Sequence, residues 1–591
     1  MVSDCRCALC LTTLVVETQR YLCSECHNIS LCLKCYDSPK SHTVHTDKSP
    51  LPHQCSLETK SQAEYIESNK AESIYEGFMN AFKNFAKRRC IGECIELEDG
   101  SATYKWVTYQ ELFDRAQRFG NVIQKLIPYR SKVGIFLTNV PEWYTVDFGC
   151  LFYGYSVIGI NQHLRNDLSP EIKNQIPSSI DIKLFSEIMN TDIKISPHTP
   201  QRDGIHSITY SSGSTGIPKG IIGSNTETYI LGYPLDFVPI QLSYLSLAHT
   251  QRLTDFTTLW NGGRFGIYRD TKQNSYLKDN SLIRPTFIWG PTSFWNQLHT
   301  KYLKNVKMIK ESDHSKSDEQ CELQAIAETR NLLGDRIKII LTTGSIISPE
   351  AFALMKKCWG EKVLDIYGSA EINKVAINGQ ITPDVEYKLS PIDGYDSHNG
   401  HPVGLLKVRS TRLFKGYYKN PEANAKAFDK DGWYSTGDIV EEYGQGKIRI
   451  IDREKNSFKI SYGKLVCLDN IDSYYYNSPM IRNIFVHVAI VVPTDYILNK
   501  FKIGKQDNID ENFELVKEIE KEIKLIANQK NIAFWEIPKL IKLDRTIWTM
   551  GNNLISGTGK YNRLKLLEYY KPSVDQLLKQ LTTLTDNDSF I

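Results

Sequence analysis

The sequence has no apolar run long enough to cross a bilayer. Its least polar stretch, FGCLFYGYSVIGINQHL from Phe148 to Leu164, carries no charge but is interrupted by glycines, tyrosines, Asn161 and Gln162. It falls short of the ~20 apolar residues that a spanning helix needs. A helix from about Pro141 to Gly154 and a short buried strand from Ser156 to Ile160 are predicted there instead, so any membrane contact is expected to be peripheral. Charge of one sign is also scarce. The 71 basic and 68 acidic residues leave a net charge of +3, too little for a dedicated nucleic-acid surface. The opening MVSDCRCALC has neither a charged lead nor an apolar stretch, so no secretory signal is read. Cysteine is sparse after residue 55, where only six of the fourteen are found. That usage fits a reduced compartment, and a cytoplasmic setting is expected.

What remains is the composition of a soluble globular chain, with 41% hydrophobic and 24% charged residues. At 591 residues it is too long for one core and should divide into about three or four compact units.

The other eight cysteines crowd the first 55 residues. Three C-x2-C pairs, Cys7/Cys10, Cys23/Cys26 and Cys32/Cys35, are followed by His42 and His45 with the same spacing. Eight ligands suffice for two tetrahedral Zn²⁺ sites. A segment this short with few large apolar side chains needs such a source of folding energy. Disulfides are the alternative, and the missing signal and the two histidines argue against them. The stretch resembles a ZZ-type zinc finger. The resemblance implies that Cys7, Cys10, Cys32 and Cys35 hold one zinc while Cys23, Cys26, His42 and His45 hold the other. His53 lies close enough to compete for the second site, and Cys5 and Cys55 are read as ordinary thiols. Closed sites leave no open coordination position, so this module is expected to bind a protein or peptide partner rather than catalyse.

A polar connection follows from Leu57 to about Ser73. Beyond it, helical stretches such as Gln110 to Leu126 alternate with short apolar runs such as Val133 to Thr138 and Ile337 to Thr342, the pattern of parallel sheets flanked by helices. The segment TYSSGSTGIPKG, Thr209 to Gly220, ends the strand-like run IHSITY. Its glycines and hydroxyls can turn several donors toward phosphate oxygens, and Lys219 adds charge. It is not a Walker loop, because Pro218 precedes the lysine and Gly220 follows it. Four more motifs come after it in order: Tyr367-Gly-Ser-Ala-Glu371, Tyr434-Ser-Thr-Gly-Asp438, Asp452-Arg-Glu-Lys-Asn-Ser-Phe-Lys459 and Gly557-Thr-Gly-Lys560.

Together these five motifs resemble the adenylate-forming superfamily of acyl-CoA synthetases, luciferases and peptide-synthetase adenylation domains, over roughly Tyr75 to Tyr570. The resemblance implies an α/β fold: a large adenylate-forming domain of β-sheets flanked by helices, and a small α+β C-terminal lid. With the finger in front, the expected boundaries are 1–56 for the finger, 57–72 for a linker, 73–452 for the large domain and 453–591 for the lid.

The resemblance also implies roles. Ser211, Ser212, Gly213, Ser214, Thr215, Gly216 and Lys219 would embrace the β- and γ-phosphates of ATP. Tyr367, followed by Gly368, would stack on adenine, with Gly344 in an adenine-side loop (LTTGSIIS). Glu371 would hold Mg²⁺, Asp438 and Arg453 would take the ribose, and Lys560 would bridge the acyl carboxylate and the α-phosphate. Asn456 matches the hinge about which the lid rotates between half-reactions, and Gly463 sits in a loop carried toward the site.

YKWVTYQEL, NVPEW and SYLSLAHTQR look closest to the long-chain fatty acyl-CoA synthetases, the last placing His249 near the acyl pocket. ATP, CoA and a fatty acid are then the expected small-molecule substrates. Helices around residues 230–300 are expected to wall an apolar tunnel. There are departures: Ala370 stands where the family usually has threonine, and the region from Arg165 to Ile205 looks shortened. They keep open a catalytically weak ATP-binding scaffold working through its finger, or an adenylating enzyme for an amino or aryl acid. The tail after Tyr570 reads as a solvated end.

Overall fold

The computed structural model describes residues 71–160, 183–191, 198, 200–211, 218–227, 235–249, 251–268, 276–392, 400–459, 465–475, 478–486, 489–549, 551–552, 554–555 and 561–587. Before residue 71 it gives two small antiparallel pairs, Cys5–Arg6 with Thr13–Leu14 and Tyr21–Leu22 with Ser30–Leu31. The proposed zinc ligands, the connecting segment and most of the shortened 165–205 region lie outside the described residues.

Local signals start the fold where they should. Ser73 caps the helix Ile74–Asn84, its hydroxyl accepting the Glu76 backbone N–H at 3.1 Å. Thr108 and Glu111 form a reciprocal capping box on Tyr109–Leu126, which buries Leu112, Ala116, Phe119 and Ile123 along one face. The uncharged run becomes the helix Pro141–Phe152, buried on nearly every side, and the strand Ser156–Gly159. Proline at its first turn fixes a helical φ without losing a hydrogen bond. Among the described residues no helix is long and apolar enough to cross a membrane.

Three mixed sheets organise residues 89–453. In the first, Lys132–Ile135, Ser156–Gly159 and Ile205–Tyr210 run parallel, and Gly220–Ser224 returns antiparallel to Ile205–Tyr210. In the second, Ile240–Ser243, Arg264–Ile267 and Arg89–Glu96 are parallel, with Ala102–Thr108 antiparallel at the edge. The third begins with parallel Phe287–Pro291, Ile339–Thr343 and Val363–Tyr367, then turns antiparallel through Ala376–Ile377, Gln380–Ile381, Lys447–Arg453, Tyr434–Gly444, Val403–Arg409 and Glu386–Ser390.

The expectation of parallel sheets therefore holds for only part of each sheet. A parallel connection needs a crossover of a dozen or more residues. After Tyr367 the links are mostly too short for one, and hairpins result.

Residues from Val466 onward gather into their own hydrophobic clusters. Ile471, Tyr475, Val491, Leu515 and Ile519 centre one, and Trp548, Leu554 and Leu566 the other. The helix Phe513–Gln529 and the strands Ile481–Phe485, Ile490–Pro493 and Lys542–Leu543 build this part. The end of the chain departs from the expected solvated tail. Lys571–Asn587 is a helix, and Val574 and Leu577, three residues apart on one face, bury against the Trp548 cluster.

Behind the sheets lies a fully buried ion pair. Arg252, on the helix Gln251–Trp260, donates through Nε and Nη2 to Asp147 at 2.5 and 2.8 Å, and its guanidinium covers the Phe256 ring at 4.4 Å. Burial pushes the Asp147 carboxyl up, and Arg252 opposes it. Arg252→Met would strand that carboxylate and is expected to cost about 3–5 kcal/mol in urea unfolding. Asp147→Leu combined with Arg252→Met should recover much of the loss. A single variant within about 1 kcal/mol of the parent would show that the pair is not the desolvated contact described here.

Candidate active site

The third sheet sets the geometry of one cleft. Its antiparallel half pairs Asp438 with Arg453 across neighbouring strands, and Arg453 Nε lies 3.1 Å from Asp438 Oδ1. The other carboxylate oxygen accepts the Tyr367 hydroxyl at 2.6 Å. Burial and the Asp438 charge both push the Tyr367 phenol up, so it stays a donor. Asp438 is held from below as well. Its backbone N–H donates to the Thr436 hydroxyl oxygen at 3.1 Å, and that hydroxyl donates to the Leu406 carbonyl. Between them Gly437 sits at φ 72°, where a side chain would be strained. Asp438 is only 5% exposed, whereas the Arg453 side chain is 43% exposed at the cleft mouth.

Glu371 follows Tyr367 in a tight loop. Its backbone carbonyl accepts the Phe414 N–H at 2.8 Å, and its carboxylate Oε1 accepts the Tyr417 hydroxyl at 3.0 Å. The expected phosphate loop is described at its two ends. The Ser211 N–H donates to the Lys219 carbonyl at 2.9 Å, and the Lys219 N–H donates to the Ser211 hydroxyl at 3.1 Å, closing the neck between Ile205–Tyr210 and Gly220–Ser224. The Lys219 ammonium sits over the Tyr417 ring, 4.8 Å from its centre.

Ser211, His249, Gly344, Tyr367, Gly368, Glu371, Asp438 and Arg453 all line this cleft of about 2330 Å³. Gly344 lies just past the strand Ile339–Thr343 with φ 107°, a conformation that favours glycine. Ser212, Gly213, Ser214, Thr215, Gly216, Gly463 and Lys560 fall outside the described residues. The apolar tunnel differs from expectation. Leu245, Leu253, Phe287, Trp289 and Ile346 supply apolar wall, mainly from strands and loops. The helix Thr292–Ser312 turns Gln297, Thr300, Lys301 and Lys304 toward the same space.

Sequence reasoning missed three contributors. Asp365 lines the cleft, and burial raises its carboxyl to about 6. Tyr417 and Thr436 brace the acids. Thr436 lay inside a motif already singled out. The other signal was Leu413 to Asn420, LFKGYYKN, a run of aromatic and basic residues that carries no periodicity.

Among the described residues no three His, Cys, Asp or Glu converge as a protein-only metal cage. One of the carboxylates lining the cleft, Glu371, fits Mg²⁺, which keeps several waters and takes its remaining oxygens from phosphates.

The AMP-binding enzyme family matches residues 82–179 and 170–418. Long chain acyl-CoA synthetase 6, peroxisomal, of Arabidopsis thaliana is 24% identical, over 86% of both chains. Fatty acyl-CoA synthetase A of Dictyostelium discoideum is 26% identical over 81% of this chain and 87% of its own. A carboxylic acid reductase of Mycobacterium marinum is 30% identical over 64% of this chain but 33% of its own. Among solved structures, the adenylation domain of a carboxylate reductase from Mycobacterium chelonae superposes with a TM-score of 0.75 at 22% identity, covering 88% of this chain and 93% of that one. The adenylation domain of the Segniliparus rugosus reductase, determined with AMP and a co-purified carboxylic acid, gives the same TM-score at 20% identity, over 88% of this chain and 96% of its own.

Replacing Asp438 by Asn removes the charge that holds Arg453 and the Tyr367 hydroxyl. ATP binding is expected to weaken by about 2 kcal/mol, roughly thirtyfold, in isothermal titration calorimetry. Unchanged affinity would take Asp438 out of the nucleotide site. The match across more than half of the chain, on a fold whose cleft gathers the predicted acids, arginine and tyrosine, establishes that this protein belongs to the AMP-binding enzyme family.

Proposed function

We propose that the chain is a long-chain fatty acid–CoA ligase that forms an acyl-adenylate and then a thioester. The observation that carries this reading is the convergence of Glu371, Tyr367 and the Asp438–Arg453 pair on one cleft that also has an apolar wall. The relatives named as acyl-CoA synthetases, which match along most of their own length, support the same chemistry.

In the first half-reaction a carboxylate oxygen of the acid attacks the α-phosphorus of ATP, and pyrophosphate leaves. In the second, the CoA thiolate attacks the acyl carbonyl carbon, and AMP leaves. The chain's task is mostly to position and to stabilise charge. Ser211 to Lys219 hold the β- and γ-phosphates, and Tyr367 offers its ring to the adenine while its hydroxyl fixes Asp438. Asp438, with lone pairs remaining beside those two contacts, takes the ribose hydroxyls. Lys560 bridges the acid and the α-phosphate, and His249 borders the acyl end. Glu371 would hold Mg²⁺, which when bound would neutralise charge on the phosphates. The hinge at Asn456 lets the lid, residues 453–591, serve each half-reaction in turn.

A second reading rests on Ala370. It leaves no hydroxyl where the family usually has threonine, and losing one such hydrogen bond would slow the reaction by about 1–3 kcal/mol. A protein that binds ATP and turns over little would then act through its finger. The finger is proposed to hold two zinc ions through Cys7, Cys10, Cys32 and Cys35, and through Cys23, Cys26, His42 and His45, and to dock a protein or peptide partner.

Two measurements test these readings. Purified protein with ATP, Mg²⁺ and palmitate should release pyrophosphate, with turnover dependent on CoA and lost in Lys560→Ala. ATP binding without release, for palmitate, shorter fatty acids and aryl acids alike, would favour the scaffold. Elemental analysis should find two zinc ions per chain, with unfolding of the N-terminal segment on chelation. Metal-free protein whose cysteines are disulfide-bonded would contradict the finger.

A further inference from the structure

The geometry points to Tyr417 as a positioning residue that orients the Glu371 carboxylate for its cation and links it to the phosphate-loop lysine. This inference rests on the reading of Glu371 as the Mg²⁺ residue.

Tyr417 is 6% exposed, yet its hydroxyl is directed at a charged group that faces the cleft. It donates to Glu371 Oε1 at 3.0 Å. Burial and the Glu371 charge push the Tyr417 phenol well up, so it remains a donor. The neighbouring Tyr434 phenol is also pushed up, by burial first and by Glu371. The Phe414 ring packs edge-on against both, at 4.8 and 5.6 Å.

The backbone around Tyr417 is fixed to the element that follows the phosphate loop. The Tyr418 N–H donates to the Gly220 carbonyl at 2.7 Å, the Ile222 N–H to the Gly416 carbonyl at 3.2 Å, and the Tyr417 N–H to the Asn424 side-chain oxygen at 2.7 Å. The same ring carries the Lys219 ammonium, 4.8 Å from its centre. One side chain therefore touches the acid expected to hold the cation and the lysine expected to hold the phosphates. A phenylalanine would satisfy the packing and the cation–π contact, so the hydroxyl has a separate task.

A terminal carboxylate torsion is intrinsically broad, and a hydrogen bond to one oxygen narrows it. Residue 370 is alanine and has no hydroxyl to share that work.

Tyr417→Phe keeps the ring and deletes only the donor. ATP titrations over a Mg²⁺ series should show half-maximal Mg²⁺ rising about tenfold. ATP affinity at saturating Mg²⁺ should stay within about twofold, and the melting temperature should stay near that of the parent. Mn²⁺ binding followed by electron paramagnetic resonance in the presence of ATP should weaken in the same way. Tyr434→Phe, which removes the neighbouring phenol, should shift Mg²⁺ dependence in the same direction by a smaller factor. It serves as the test if Tyr417→Phe is unstable.

Mg²⁺ dependence unchanged in both variants, or ATP affinity reduced equally at every Mg²⁺ concentration, would overturn the inference. Glu371→Gln separates the two levels. If it leaves Mg²⁺ dependence unchanged, the assignment of Glu371 fails. If it shifts that dependence while the tyrosine variants do not, only the role of Tyr417 fails.

Discussion

The register between Tyr434–Gly444 and Lys447–Arg453 is the constraint on which the cleft depends. It places Asp438 opposite Arg453, with the ion pair at 3.1 Å. A slip of either strand by one residue would turn its side chain to the other face of the sheet, away from its partner. Tyr367 reaches the same carboxylate from Val363–Tyr367, the last parallel strand of that sheet. The mixed topology thus has a consequence for chemistry. The parallel half delivers loops, with Gly344 and Tyr367, at the carboxyl ends of its strands, where open α/β sheets form ligand crevices. The antiparallel half delivers the acid and the arginine.

A rigid buried layer holds this arrangement in place. Asp147 and Arg252 tie the helix Pro141–Phe152 to the helix Gln251–Trp260. Beside them Asp255 accepts the Tyr144 hydroxyl at 2.5 Å, the Ser243 hydroxyl at 2.7 Å, and the Gln241 and Gln251 amides at 2.9 and 2.8 Å. Burial raises that carboxyl to about 7, and the bonds from Tyr144, Ser243 and Gln251 oppose the rise. Such polar clusters tolerate few alternative packings once every member is satisfied. They fix the helix that begins two residues after His249, one of the residues lining the cleft. Beside Glu371 the Tyr417 hydroxyl donates to the carboxylate, and the Phe414 ring packs edge-on against Tyr417 and Tyr434.

Much of this was legible in the sequence, because short motifs carry their own physics. IHSITY is the strand Ile205–Tyr210. The helix expected from Gln110 to Leu126 begins one residue earlier, at Tyr109, where Thr108 and Glu111 cap it. Tyr367, Glu371, Asp438 and Arg453 converge as the resemblance implied. What escaped reading depends on long-range pairing. Nothing local announces that Tyr417 donates to Glu371, 46 residues away, or that Arg252 finds Asp147 across 105 residues. The antiparallel half of the third sheet was hidden by the apolar runs themselves, which look alike whichever way a strand runs. The final helix was mistaken for a polar tail although Val574, Leu577, Leu578, Leu581 and Leu584 recur at helical spacing; the polar ending drew the reading away from that pattern.

The reaction proposed for this cleft joins a carboxylate to the α-phosphate of ATP. Palmitate labelled with ¹⁸O in both carboxylate oxygens, turned over with ATP, Mg²⁺ and CoA, tests it most directly by mass spectrometry of the nucleotide. Attack at the α-phosphorus predicts AMP carrying one ¹⁸O atom, with unlabelled pyrophosphate. Label in inorganic phosphate together with ADP, or acyl-CoA formed with unlabelled AMP, would contradict it.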